Sequence, residues 1–306
     1  MEKKIFNADK DFKRLDHFIN HHLKEFSRSE IEKLIKDGYI KIDNKTVSKK
    51  SRKVNENDIV ELLIPDKTEV RDIIPGLQFE KLYEDEHLLI INKPPGISVH
   101  PGAGERKETI LDNFIYQYPE IKNISVSDRP GIVHRLDKGT SGVLILAKNE
   151  QSLTRLQKQF KKREIKKEYI ALVDSKVRFK NGSVNLSLTR SRKDRRKFIA
   201  VEGNKILDAR EALTNYSLRY QFMKSAYLKV SPETGRTHQI RVHLSHIGNP
   251  VLGDELYGKS SSFPRLALHA FSITFSHPEF KQIITAKSPI PFEFIEYMKN
   301  EIKKKY

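Results

Sequence analysis

Residues 131–147 read GIVHRLDKGTSGVLILA. The last five, Val143–Ala147, form an apolar run of strand length, and Ile132–His134 is a shorter run of β type. Together they predict two strands flanking a polar turn. Inside the turn Asp137 lies between Arg135 and Lys138, cations that favour a carboxylate. A carboxylate on a loop at a strand end can act as nucleophile or general base. The plainer use of such a residue is to bond its own backbone in the turn.

Working outward, Leu88–Asn92 and Tyr169–Val173 read as further strands. Asn149 is placed to cap a helix carrying Leu153, Leu156 and Phe160. Short strands mixed with a few helices imply an α+β domain on a mixed, largely antiparallel sheet, spanning 79–306. The Lys-rich end through Lys303–Lys305 reads as a fraying helix.

Residues 1–65 form a separate small unit. Leu15, Phe18, Ile19 and Leu23 recur at helical spacing after Arg14. Ser27–Glu30 fits a capping box, Ile31, Leu34 and Ile35 continue a second helix, and Gly38 closes it. Tyr39–Ile42, an Asp43-Asn44 turn and Ile59–Ile64 read as strands. Between them Lys45, Lys49, Lys50, Arg52 and Lys53 make a basic loop suited to phosphate contacts. Helix, helix and strand in this order resemble the small RNA-binding domain first seen in ribosomal small-subunit protein four, the S4-like module. Residues 66–78, with Pro75-Gly76 and no period, read as a linker.

The chain has 306 residues, which suits two domains at roughly 150 each. It carries 57 Lys and Arg against 40 Asp and Glu, a formal charge of +17. The surplus is concentrated: residues 155–200 hold 16 basic and 4 acidic side chains. Such a cluster fits a polyanionic partner, and the interspersed strand pattern of Val184, Leu186 and Leu188 favours nucleic acid over a membrane-surface helix. There is no cysteine, which removes thiolate nucleophiles, disulfides and the cysteine-ligated zinc of base deaminases. No apolar run approaches the roughly 18–20 residues of a membrane span, and Met1–Lys10 lacks the apolar core of a secretory signal, so a cytoplasmic location is expected.

Two further patterns invite chemistry. Gly253–Ser260 (GDELYGKS) matches a P-loop letter for letter. Pro250 and Pro264 crowd the helix a P-loop must open, and Asp254 and Glu255 would oppose phosphate, so a nucleotide site is not expected. In Gly235–Leu244 (GRTHQIRVHL) Thr237 can cap a helix that Gly248 ends, with Ile240, Leu244 and Ile247 buried. Arg241 at the edge of that face, if buried, needs a carboxylate partner. His238, His243 and His246 are poorly aligned for a metal, with Arg241 among them, and no metal site is expected.

With these blocks in view the whole chain resembles the RluA family of pseudouridine synthases. The resemblance rests on Lys93–Pro101 (KPPGISVHP), on His134–Asp137 with Thr140–Gly142, on Lys167–Leu172 (KEYIAL), and on Gly235–Leu244 and Pro250–Gly258. Val99–Gly104 looks most like the RluD branch, which acts on large-subunit ribosomal RNA. The resemblance implies the pseudouridine synthase fold, with Asp137 as the essential aspartate, Tyr169 as the active-site tyrosine and Arg241 as the partner of the aspartate. It implies that Arg135 fills the gap left by a flipped nucleotide. The RNA-facing set on this reading is Arg135, His134, Arg14, Lys49, Lys50, Arg52, Arg192, Arg195 and Arg196, although 189–200 and 203–211 depart from the family pattern. Turning uridine into pseudouridine oxidises and hydrolyses nothing, so no cofactor is called for. The expected partner is structured RNA, 23S ribosomal RNA or its precursor, bound by a monomer.

Overall fold

Leu15, Phe18 and Ile19 are buried along one face of α1 (Leu15–His22), and Ile31, Leu34 and Ile35 along α2 (Arg28–Lys36). The computed structural model describes residues 2–23, 26, 28–64, 76–101, 108–124, 129–202, 208–258 and 263–304, and their side chains except those of 2 and 28–30. The Ser27–Glu30 capping box therefore lies outside what is described, as do Gly102–Gly104 and 66–75 of the expected linker.

The two helices pack on an antiparallel sheet of β1 (Glu2–Asn7), β2 (Ile40–Ile42), β3 (Lys45–Thr46) and β4 (Ile59–Ile64), in the order β1-β4-β2-β3. Asp43 and Asn44 both adopt left-handed backbone, φ 48° and 64°. Two such residues match the twist of a tight hairpin between β2 and β3. Strand β1 carries no apolar alternation that would reveal it: Ile5 is exposed, and Phe6 meets α1, edge-on to Phe18. Pairing with β4, from Glu2↔Ile64 to Asn7↔Ile59, makes it a strand. Residues 1–71 with 122–130 form this unit; residues 72–121 with 131–306 form the other.

The larger unit contains β5 (Glu80–Glu84), β6 (Leu88–Lys93), β7 (Ser141–Ala147), β8 (Lys166–Asp174), β9 (Asn181–Asn185), β10 (Ser187–Arg190), β11 (Phe198–Val201), β12 (Leu213–Gln221), β13 (Ser225–Pro232), β14 (Leu268–Ser276) and β15 (Ile283–Lys287). Its helices are α3 (Ile110–Gln117), α4 (Glu150–Lys162), α5 (Gln239–His246) and α6 (Phe292–Lys303). Among the described residues, one sheet runs β5-β6-β7-β14-β8-β13-β12-β9, with β15 on β14, while β10 and β11 pair as a separate hairpin. The β7–β14 pairing is parallel and the other strand pairs are antiparallel, so the fold is α+β with a mixed, largely antiparallel sheet.

Strand β7 is buried at every residue, as the apolar run Val143–Ala147 requires of a central strand. At its start, Gly142 (φ 109°) lies so close to β14 that a Cβ there would sit 2.2 Å from the Ala270 carbonyl oxygen. Gly142→Ala should therefore lower stability by about 3 kcal/mol or more in urea unfolding, since strained backbone and overpacking add. Asn149 caps α4 as its sequence position implies, accepting from the Ser152 amide, and Leu153 and Leu156 are buried beneath it.

Two expectations change. Ile132–His134 is not a strand; a single bridge joins Ile132 to Leu146. The reason is local: the Ile145 amide, which a neighbouring strand would satisfy, donates instead to Nε2 of His134 at 3.0 Å. Nor does Thr237 cap α5. The helix begins after His238, whose backbone is left-handed (φ 57°) and whose side chain makes no cap. Residues 253–258 of the P-loop-like stretch are a turn rather than the start of a helix, and Lys259 and Ser260 fall outside the described residues.

Candidate active site

Asp137, Tyr169 and Arg241, three residues from a turn, a strand and a helix, line one cavity of about 490 Å3. Tyr169 projects from β8 and Arg241 from α5. Asp137 sits in the turn ahead of β7, where its own carbonyl accepts from the Thr140 amide at 3.0 Å. The next carbonyl, that of Lys138, accepts from the Gly96 amide at 2.8 Å and from Nζ of Lys93 at 3.3 Å.

Lys93 is fully buried, and its Nζ also donates to the carbonyls of Pro94 and Ile97, both at 2.8 Å. Three acceptors match the three donors of an ammonium and clamp the Asp137 turn from beneath. Burial pushes this amine down to about 7, against the pull of Asp137. The folded protein thus releases a proton near pH 7 that the unfolded chain holds to about 10.5. In that window the unfolded state binds more protons, so stability rises with pH. The slope of unfolding free energy against pH between about 7 and 10 should fall in Lys93→Met relative to the parent.

Arg241 meets two carboxylates. Its Nε and Nη2 donate to the two oxygens of Asp254 at 2.7 and 2.8 Å, and Nη1 donates to Oδ2 of Asp137 at 3.2 Å. Asp254 is fully buried and also accepts from the Leu256 and Tyr257 amides. It sits there because Gly253 turns the chain with φ 68°, where a Cβ would lie 1.9 Å from the Arg265 carbonyl oxygen. Burial opposes the guanidinium's charge, but the Asp254 bonds and the field of Asp137 outweigh it and raise Arg241. Burial would raise Asp254, and Arg241 with the turn amides brings it below the usual carboxylate range. A two-toothed clamp thus holds one face of Arg241 and leaves the third nitrogen aimed at Asp137. Across the cavity, burial and the charge of Asp137 raise Tyr169, which keeps its phenol protonated.

Both the sequence and the fold match known proteins. The family profile described as RNA pseudouridylate synthase matches residues 87–246, and that of the S4 domain matches residues 13–60. A relative in Aquifex aeolicus, named an uncharacterized RNA pseudouridine synthase, is 39% identical over 287 residues, 89% of each chain. The ribosomal large subunit pseudouridine synthase D of Xanthomonas campestris pv. campestris is 34% identical over 294 residues, 91% of this chain and 86% of that protein. The chain belongs to the RNA pseudouridylate synthase family. Among solved structures, human RNA Pseudouridylate Synthase Domain Containing 4 superposes with a TM-score of 0.57 at 26% identity, over 72% of this chain and 91% of that one. The protein is therefore an RNA pseudouridine synthase with an N-terminal S4 module.

The residues of this synthase expected at RNA fall into three groups. Arg135 and His134 line the cavity with Asp137. Nη1 of Arg135 donates to Nε2 of His100 at 3.0 Å, while Nδ1 of His100 bonds the Pro101 carbonyl at 2.9 Å. His134 stacks on Phe160, ring centroids 4.7 Å apart. Burial, with the charge of Lys167, pushes it down to about 3, so the ring is neutral and Nε2 is committed to Ile145. Arg192, Arg195 and Arg196 lie on the exposed β10–β11 connection, Arg196 forking onto Asp194 at 2.9 Å. In the S4 module Lys49, Lys50 and Arg52 are exposed, Lys50 pairing with Glu32 at 2.7 Å, and Arg14 forks onto buried Asp16 at 2.8 Å. The sequence reading misses Lys93 and Asp254. For Lys93, a lysine closing an apolar strand directly before Pro94 is the available signal.

Proposed function

We propose that this synthase isomerises uridines in large-subunit (23S) ribosomal RNA, and that Asp137 is the catalytic carboxylate acting on a uridine flipped out of its stack. The observation that carries the reading is the Asp254–Arg241–Asp137 chain, which fixes one carboxylate at the cavity with a cation beside it. The choice of RNA is supported by the relative named for the large ribosomal subunit and by the S4 match.

The chemistry follows from the groups present. The C1′–N1 bond of uridine breaks, the base turns, C5 bonds to C1′, and the proton lost from C5 is balanced by one gained at N1. Asp137, held through Oδ2, presents its other oxygen to the ribose or base. Neutral Tyr169 forms an apolar wall with a polar tip against the uracil. Arg135 stands at the rim, where a guanidinium can occupy the gap in the stack. Extruding the base costs about a few kcal/mol, which phosphate contacts from the basic surface offset.

Purified protein incubated with ribosomal RNA transcribed without modification should form pseudouridine at discrete large-subunit positions, and equal formation at random uridines would contradict the choice of substrate. Replacing Lys49 and Arg52 by Ala should weaken RNA binding and lower the slope of log Kd against log salt by about 0.7–0.9 for each phosphate no longer neutralised. Anisotropy titrations over a salt series measure it.

A further inference from the structure

The Gly253–Gly258 turn holds more than Asp254. Tyr257 lays its ring against the Arg241 guanidinium, 5.0 Å from Cζ to ring centroid. Its hydroxyl joins two groups from different elements: the Phe198 amide of β11 donates to it at 2.8 Å, and Nδ1 of His238 lies 2.8 Å away. Phe198 also meets the His238 ring edge-on at 5.9 Å, and the Arg190 guanidinium covers Phe198 at 5.1 Å. The β10–β11 hairpin so attached is the one carrying Arg192, Arg195 and Arg196. His238 lines the cavity together with Asp137. Its left-handed backbone (φ 57°) is uncommon and costly away from glycine, and here it is held by what the ring touches.

An amide only donates, so Phe198 occupies a lone pair of the Tyr257 oxygen, and the hydroxyl proton is available to Nδ1 of His238. With Nδ1 as the acceptor, the ring proton sits on Nε2. Burial lowers His238; Asp137 and Asp254 pull the other way, and Arg241 and Arg135 reinforce burial, so the imidazole is neutral. A neutral ring N–H suits a pyrimidine carbonyl, of which uracil has two, and being uncharged it does not compete with Arg241 for Asp137.

We propose that Tyr257 is a positioning residue that ties the basic hairpin to the cavity and fixes His238 as an uncharged Nε2–H donor to a carbonyl oxygen of the target uracil. The inference rests on the reading of this cavity as the uridine site. It gives the Tyr257 hydroxyl a role separate from that of the ring under Arg241.

The test is single-turnover pseudouridine formation on ribosomal RNA from cells lacking the enzyme, with RNA affinity and melting temperature measured on the same variants. Tyr257→Phe keeps the ring and removes the hydroxyl. Its rate should fall by about tenfold or more at saturating protein, the scale of one lost hydrogen bond, with RNA affinity unchanged. His238→Phe, which keeps a ring and removes both ring nitrogens, should show a similar loss. The double variant should be no slower than His238→Phe alone, because partners in one chain are not additive. A parent-like rate in Tyr257→Phe, or losses that multiply in the double variant, would overturn the proposal. Should Tyr257→Phe fail to fold, His238→Phe decides: loss of rate with retained affinity supports the donor, and an unchanged rate overturns it. Asp137→Ala run in parallel separates the two levels. Activity retained there removes the reading of the cavity and this inference with it; activity lost there, with a parent-like Tyr257→Phe, removes the inference alone.

Discussion

Asp137→Ala is expected to reduce pseudouridine formation by about four orders of magnitude or more, the scale seen when a central catalytic group is removed. RNA affinity should stay close to that of the parent. Intact binding follows from the geometry: Asp137 touches Arg241 through one long bond of 3.2 Å, and Asp254 still neutralises that arginine in its absence. The turn also keeps its shape, since the Asp137 and Lys138 carbonyls that brace it belong to the backbone. Asp137→Asn preserves volume and removes the charge, so equal loss in both variants assigns the effect to the carboxylate. Single-turnover assays and anisotropy titrations on one RNA report the two quantities independently. A binding protein that modifies nothing would show no activity to lose.

Asp254→Ala is the second large effect, and it acts on stability and rate together. It strips the bidentate partner from a guanidinium that is almost wholly buried, and it frees the Leu256 and Tyr257 amides. Breaking one half of a buried pair costs about 3–5 kcal/mol, and Asp137 leaves Arg241 only one long bond in its place. At about 2–4 °C per kcal/mol for a domain of this size, the melting temperature should drop by roughly 10 °C. Arg241, held then only by Asp137, no longer aims a fixed Nη1, and the rate should fall as well. Replacing both Asp254 and Arg241 with Leu should restore much of the stability, since apolar replacements of a buried pair are often neutral. It should restore none of the activity. Recovery of both would reduce the pair to a structural role.

Much of this is legible in the residues, and the exceptions share a cause. Val143–Ala147, Asn149 and Asp43-Asn44 declare themselves because a buried strand, a helix cap and a tight turn each depend on near neighbours in sequence. Asp137 and Arg241 stand out as charged residues set beside apolar runs. Asp254 does not, because its meaning lies 13 residues away on α5 and its own stretch imitates a phosphate loop. Strand β1 depends on β4, more than fifty residues later, for its hydrogen bonds. His134 looks like the end of a strand and in fact replaces one, supplying Nε2 where a backbone carbonyl would otherwise accept. Thr237 carries the right chemistry for a cap, but the contacts of His238 with Tyr257 and Phe198 move the helix start one residue on. Long-range partners, rather than local preference, decide these positions.

The decisive measurement is a map of pseudouridines in 23S ribosomal RNA from cells lacking the gene, complemented with either the parent or Asp137→Ala. Specific large-subunit pseudouridines should vanish in the deletion, return with the parent and stay absent with Asp137→Ala expressed to the same level. An unchanged map in the deletion, or restoration by Asp137→Ala, would contradict the role assigned to this carboxylate and its RNA.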